Sequence, residues 1–175
     1  PNRNINKYYQ WHKLHIFDKK IKKWNYIFYL DINMSIHGDL SELFKEAPLN
    51  KLLARADSYP QYDRTLSSQF DENSETFKRL CEKYDLDITN YFQTGLLFFD
   101  TSIIDKNTKK ELVELAIKYP CTITNEQAIC NLYFIFEKKL YQELPVEIGK
   151  TISYFYWKLE GREVLITKQN RIQYK

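Results

Sequence analysis

The stretch Tyr26-Ile27-Phe28-Tyr29-Leu30-Asp31-Ile32-Asn33-Met34-Ser35 decides how the chain is read. Five residues with strong strand preference run directly into an aspartate, and a second oxygen-bearing side chain follows two positions later. A run apolar at every position predicts a strand covered on both faces, as in a parallel α/β sheet. In such sheets ligands occupy the crevice beyond the carboxyl ends of the strands. Asp31 and Asn33 fall there, and their spacing points both side chains to one side of an extended backbone. Two hard oxygen ligands so placed suit Mg²⁺ or Mn²⁺, which take one or two carboxylates and leave other positions to phosphates and water. The first expectation is a site for a metal-bound diphosphate. The plainer alternative is a strand ending in a turn, where Asp31 and Asn33 cap backbone groups.

Working outward, residues 4–17 read as a helix in which Tyr8, Trp11, His12, His15 and Ile16 form one aromatic stripe, with Lys7 and Lys13 away from much of it. Lys19, Lys20, Lys22 and Lys23 lie in a charged, solvated loop. After the strand come a turn at Gly38 and a short helix capped by Asp39 or Ser41. Short strands are expected at 54–58 and 66–70, and a helix at 74–84 places Phe77, Leu80, Cys81 and Tyr84 on its core face. A second fully apolar strand, Leu96 to Asp100, again ends in an acid and is led in by Tyr91-Phe92-Gln93-Thr94-Gly95. A glycine inside that pattern signals close approach of a ligand or another backbone, or a plain packing need. Asn107 and Glu111 have capping-box spacing for a third helix, and Thr124 and Gln127 for a fourth. A last strand is expected at 163–167, after a turn at Gly161. Strands and helices alternate without a repeat or linker, which predicts one α/β domain over residues 1–175 with a mostly parallel sheet.

Composition narrows the function classes. A net charge of +3, from 26 basic and 23 acidic residues, is too small to argue for nucleic acid. The aromatic fraction of 16% is high, and core packing accounts for most of it. Three cysteines (Cys81, Cys121, Cys130) with no Cys-x-x-Cys spacing offer neither a disulfide framework nor a zinc site, and fit the cytoplasm or another reducing intracellular compartment. No run approaches the roughly 20 apolar residues of a membrane span. Four glycines, at 38, 95, 149 and 161, leave no dinucleotide fingerprint and no P-loop. All three histidines fall within the first 37 residues, without a nucleophile elbow, so they read as structural. The chain starts at Pro1 and reads as a piece of a longer protein.

What remains is a set of carboxylate and amide side chains at strand ends or a helix start: Asp31 and Asn33, Gln93, and Glu126 with Gln127. Parallel neighbours would bring these to one cleft, where they suit sugar hydroxyls because they offer directional acceptors and donors. Lys13, facing the same cleft, would neutralise a diphosphate leaving group as a point charge.

In order along the chain, these motifs resemble the GT-A-fold nucleotide-sugar glycosyltransferases, most closely the retaining, family 8-like group. Trp11-His12-Lys13 resembles the Trp-x-Lys segment, and Tyr29-Leu30-Asp31-Ile32-Asn33, trailed by Gly38-Asp39-Leu40, resembles Tyr-Leu-Asp-x-Asp with its Gly-Asp-Leu. Tyr91-Phe92-Gln93-Thr94-Gly95 resembles Tyr-Phe-Asn-x-Gly, and Asn125-Glu126-Gln127 resembles the Asp-Gln-Asp helix start. The resemblance implies a GT-A-like, Rossmann-like mixed and mostly parallel sheet flanked by helices, here without its amino-terminal strands. It implies a UDP-sugar donor, a hydroxyl acceptor and Mn²⁺ or Mg²⁺. Asp31 would contact donor ribose and metal, and Asn33 would stand at the second metal position. Lys13 would meet the diphosphate, Gln93 the transferred sugar or acceptor, and Glu126 sugar hydroxyls. Gln127 would lie nearest the reactive face of the anomeric carbon, and front-side transfer follows from an amide being a poor nucleophile.

The chain departs from that pattern in two places. Asn33 replaces the second aspartate, and no histidine follows His37, so the family's later His-x-x-Gly motif and its metal ligand have no counterpart. Two other readings compete. One is a non-catalytic member of the same fold that binds glycan or a partner protein. The other is a haloacid-dehalogenase-like phosphotransferase with Asp31 as nucleophile, although Asn33 stands where its general-acid aspartate belongs.

Overall fold

Both fully apolar runs become strands of one sheet, side by side. The computed structural model of the chain describes residues 5–32, 34–37, 40–45, 47–57 and 64–144, with the short strands at 147–148, 151–152, 155–159 and 162–166. The strands up to residue 143 are β1 (Tyr26–Leu30), β2 (Met34–His37), β3 (Leu52–Ala56), β4 (Phe92–Asp100) and β5 (Tyr141–Glu143). Four of them form a sheet in the order β1-β4-β3-β5.

The architecture is α/β, and the sheet is mixed rather than mostly parallel. β4 runs antiparallel to both β1 and β3, and β5 is the strand that pairs parallel, with β3. The apolar runs had suggested parallel strands because both faces had to be covered. Coverage is indeed two-sided, but it does not require parallel neighbours. Leu52, Ala54, Leu97 and Phe99 join a large core on one face. Leu53, Leu96 and Phe98 join a smaller one on the other, with Leu43 and Leu144. Alternate side chains of a strand point to opposite faces, so helices and loops on both sides make every position apolar.

Along β4 the pairing is uneven. Opposite β1 it advances residue for residue, with Tyr26 facing Asp100 and Leu30 facing Leu96. Opposite β3, Ala54 pairs with Leu97 but Ala56 already pairs with Phe92. Extra residues of β4 therefore bulge outward around Gln93, Thr94 and Gly95, the type of irregularity that re-aims side chains beside functional sites.

The opening helix, Ile5–Phe17, is a 3₁₀ helix. With three residues per turn, positions i and i+3 eclipse, so the buried ridge is Leu14 and Phe17, with Trp11 half-buried above them. The 3.6-residue stripe expected through His12 and His15 does not form, and both histidines are exposed. The same rotation puts Gln10, Lys13 and Ile16 on a second ridge that faces a cavity.

Further helices are α1 (Ser41–Lys45), α2 (Glu75–Cys81), α3 (Thr108–Lys118) and α4 (Glu126–Asn131), the last continuing as π-helix over Leu132–Glu137. Ser74 caps α2 through the backbone N–H of Thr76. α3 is capped by Asp105, which accepts from the N–H groups of Asn107 and Thr108, in place of the Asn107 box expected from spacing. Cys81 is exposed rather than in the core, since α2 is short and turns Leu80 inward instead. Residues 66–69 form a 3₁₀ turn rather than a strand, and only Phe70 bridges across, to Thr122.

Near the carboxyl terminus, β6 (Glu147–Ile148) pairs with β7 (Thr151–Ile152), and β8 (Phe155–Leu159) pairs with β9 (Arg162–Ile166), which also lies parallel to β2. The expected strand at 163–167 is thus β9, one residue earlier. Asn33, Gly38, Asp39 and Gly161 lie outside the described residues. Among the described residues no helix is long and apolar enough to cross a membrane.

Candidate functional site at the ends of β1 and β4

Because β4 is antiparallel to β1, its beginning lies beside the end of β1. The backbone N–H of Asp31 donates to the carbonyl of Gly95 at 2.8 Å, extending the ladder one step past Leu30. A β-carbon at Gly95 would lie 2.7 Å from Gln93 Oε1, 2.8 Å from Met34 Cε and 3.3 Å from Asp31 Oδ2. The glycine is therefore there for the close approach of the segment around Asp31.

Lys13 is the centre of the site. Its Nζ lies 3.0 Å from Asp31 Oδ1 and 3.0 Å from Glu126 Oε1, and donates at 3.2 Å to both the carbonyl and the hydroxyl of Thr94. Four segments far apart in sequence meet at this one ammonium. The Lys13 and Glu126 side chains are 9% and 3% exposed, and that of Asp31 is 29% exposed. Burial works against the charge of Lys13, but Glu126 and Asp31 outweigh it and hold the ammonium above the ordinary lysine value. Tyr29 donates its hydroxyl to Asp31 Oδ1 at 2.7 Å. Burial, reinforced by that hydrogen bond, pushes the Tyr29 phenol up to about 12.

From Thr94 the network continues away from Lys13. Its hydroxyl donates to Glu126 Oε1 at 3.0 Å, and its backbone N–H donates to Gln127 Oε1 at 3.1 Å. Capping-box spacing is one reading of Gln127, in which its side chain folds back on its own helix start. Instead its side chain bridges β4 and Asp57, donating to Asp57 Oδ2 at 3.3 Å. Asn131, fully buried in α4, accepts from the N–H of Phe92 at 2.8 Å and donates to its carbonyl at 2.7 Å. That pair of bonds satisfies both backbone groups of Phe92, the residue at which β4 resumes its pairing with β3 opposite Ala56.

Several buried polar atoms have no partner among the described residues: Gln93 Nε2, Asn125 Oδ1 and Glu126 Oε2. Gln93 itself turns its Oε1 to the N–H of Gly95, at 2.5 Å. Unpaired buried donors and acceptors are costly, so each such atom in a native protein calls for an explanation. Asn125 has φ 55° and ψ −125°, a conformation that costs a non-glycine residue of order 1–3 kcal/mol. Its Nδ2 donates to Gln10 Oε1 at 2.6 Å, linking the start of α4 to the opening helix.

A cavity of about 510 Å³ opens against Lys13 and Asp31, lined also by Tyr9, Gln10, His12, Ile16, Tyr29 and Ile32; Gln93, Thr94, Glu126 and Gln127 are not part of its lining. Its volume lies within the range of small-molecule sites. Tyr9 and Ile32, 67% and 104% exposed, put apolar surface at its rim.

Of the residues singled out from sequence, Lys13, Asp31, Glu126 and Gln127 join one hydrogen-bonded network, and Gln93 sits in the adjoining bulge. Asn33 lies outside the described residues. Thr94, Tyr29, Asn131 and Asp57 were not anticipated. Asp57 carried a usable signal, because it follows β3 just as Asp31 follows β1. Comparison with protein-family models, with curated protein sequences and with solved structures gave no match.

Proposed function

We propose that the chain is a glycosyltransferase domain that moves a sugar from a nucleotide-sugar donor, a UDP-sugar foremost, to a hydroxyl acceptor. The observation that carries this reading is the meeting of Lys13, Asp31 and Glu126 with Thr94 beneath a 510 Å³ cavity. Hydroxyl groups both donate and accept, so a sugar in the cavity suits the Lys13 and Asp31 side chains that line it.

In the proposed reaction the bond between the anomeric carbon and the diphosphate oxygen breaks. The acceptor oxygen bonds to that carbon on the same face, and the acceptor proton passes to the leaving diphosphate. Glu126 holds sugar hydroxyls, and Lys13 faces the diphosphate as a positive point charge. Gln127 has its carbonyl on the Thr94 N–H and its amide on Asp57. It orients the sugar and forms no covalent intermediate. The chain thus contributes position and charge rather than a nucleophile.

Charge balance bears on the metal. Two carboxylates surround a single ammonium, so the cluster is acidic by one group and opposes a bare diphosphate. Among the described residues no three potential metal ligands cluster. A Mg²⁺ or Mn²⁺ ion entering with the diphosphate would be held by Asp31 and by Asn33, which follows it in sequence. When bound, such an ion offsets diphosphate charge.

The test is UDP binding by calorimetry with and without Mn²⁺, for the wild type and Asp31→Ala. Metal-dependent binding that disappears in Asp31→Ala supports the proposal. A phosphoenzyme trapped on Asp31 would replace it with phosphotransfer, and glycan binding without any nucleotide binding would replace it with a non-catalytic role.

A further inference from the structure

Asp57 lies one residue beyond the end of β3, across β4 from Asp31. Its Oδ2 accepts three hydrogen bonds: from Arg64 Nη2 at 2.8 Å, Gln69 Nε2 at 3.3 Å and Gln127 Nε2 at 3.3 Å. Gln127 is held at its other end too, since its Oε1 accepts from the N–H of Thr94. Turning the amide over would set its oxygen against a carboxylate and its NH₂ against an N–H donor, so one orientation is enforced.

We propose that Asp57 is a positioning residue that fixes the Gln127 amide, and through Thr94 the bulge of β4, in the arrangement the site uses. The inference deepens the glycosyl-transfer reading and rests on it for its catalytic consequence. With Oε1 held on the Thr94 N–H and one N–H on Asp57, Gln127 keeps its second N–H and a second oxygen lone pair uncommitted. The contact with Asp57 also explains why a glutamine at a helix start extends across to β4 instead of closing a capping box.

Protonation of Asp57 would weaken the arrangement, because a neutral carboxyl is a poorer acceptor than a carboxylate for the Arg64, Gln69 and Gln127 donors that share Oδ2. Among the described residues, the groups facing Asp57 are Arg64 and the Tyr91 phenol, with the neutral amides of Gln69 and Gln127. Burial pushes the Asp57 carboxyl above the ordinary value, and Arg64 only partly offsets it.

Two measurements on the 175-residue chain test this, with wild type, Asp57→Asn and Asp57→Ala. The first follows the Gln127 side-chain amide resonances by NMR across acidic pH. They should titrate in the wild type and lose that titration in Asp57→Asn, which keeps a carbonyl acceptor but no proton to exchange. The second follows UDP release from UDP-glucose, UDP-galactose and UDP-N-acetylglucosamine, with water as acceptor. In Asp57→Ala, kcat should fall about ten- to a hundredfold with KM nearly unchanged. Asp57→Asn should recover most of that loss and flatten the acid limb of the pH profile. Gln127 resonances that titrate identically in wild type and Asp57→Asn overturn the inference. So does an unchanged kcat in a folded Asp57→Ala. Absence of both UDP binding and turnover in the wild type overturns the glycosyl-transfer reading instead, and the resonances still decide what Asp57 does.

Discussion

Replacing Lys13 by methionine keeps a long apolar stem and deletes the ammonium that lies 3.0 Å from both Asp31 and Glu126. The two carboxylates then fare differently. Asp31, with its side chain 29% exposed, rehydrates, and its share of the loss is about 0–1 kcal/mol. Glu126, 3% exposed, keeps the Thr94 hydroxyl as its donor, while Oε2 has no partner among the described residues. Removing one side of a buried pair costs about 3–5 kcal/mol, because the other charge stays behind without compensation. With a urea slope of roughly 2 kcal/mol/M, the unfolding midpoint should fall by about 1.5–2.5 M. Glu126→Gln leaves Lys13 paired with Asp31, so it should cost only about 1–2 kcal/mol. The double variant removes both buried charges and should be more stable than the sum of the single losses by about 2 kcal/mol or more. Urea unfolding followed by circular dichroism completes this cycle. An additive cycle, or a Lys13→Met loss under about 1 kcal/mol, would refute the claim that Lys13 and Glu126 are coupled as a buried pair.

The Lys13 ammonium is raised above 10.5, so its contribution is fully present below that value and is lost only as pH rises through the higher folded one. The stability gap between wild type and Lys13→Met should accordingly stay flat around neutral pH and close in alkali. Asn131→Leu strands the N–H and carbonyl of Phe92 in the interior and should cost about 2–4 kcal/mol in chemical denaturation, with faster amide exchange at Phe92. Gly95→Ala must displace Gln93 Oε1 and Met34 Cε, both ends of flexible side chains, so about 1–2 kcal/mol is expected. Thiol labelling of the native protein should modify Cys81 first, since Cys121 and Cys130 are buried and burial pushes both of their thiols up.

The proposal of sugar transfer draws its strength from the site rather than from the fold, since one α/β architecture hosts many chemistries. An oxygen-rich cluster around a single lysine at the wall of a cavity suits a polyhydroxyl ligand. It suits a bare anion poorly, which is why the diphosphate and its cation are proposed to enter together. The strained Asn125, tied to Gln10, adds a second kind of signal, because such backbone is kept only where surrounding structure enforces it.

Much of this site could be read locally. The strand at 26–30, the acid that ends it, the glycine at 95 and the acidic start of α4 are each visible because strand preference, period and helix-start chemistry act over a few residues. That same locality misled at Thr124 and Gln127, where capping-box spacing is present and the side chain nonetheless leaves for Thr94 and Asp57. It also misled at the opening helix, where an assumed 3.6-residue period chose His12 and His15 over Leu14 and Phe17.

What the residues determined by themselves is which groups are available at strand ends and helix starts: Asp31, Gln93, Glu126 and Gln127. Only the tertiary structure decided how they meet. Two-sided burial makes a central strand uniformly apolar whether its neighbours run parallel or antiparallel, so direction left no trace in the pattern. The antiparallel course of β4 is what brings its start beside Asp31, and the three-residue turn of the opening helix is what aims Lys13 between two carboxylates. Both depend on contacts between segments tens of residues apart, which no local preference encodes.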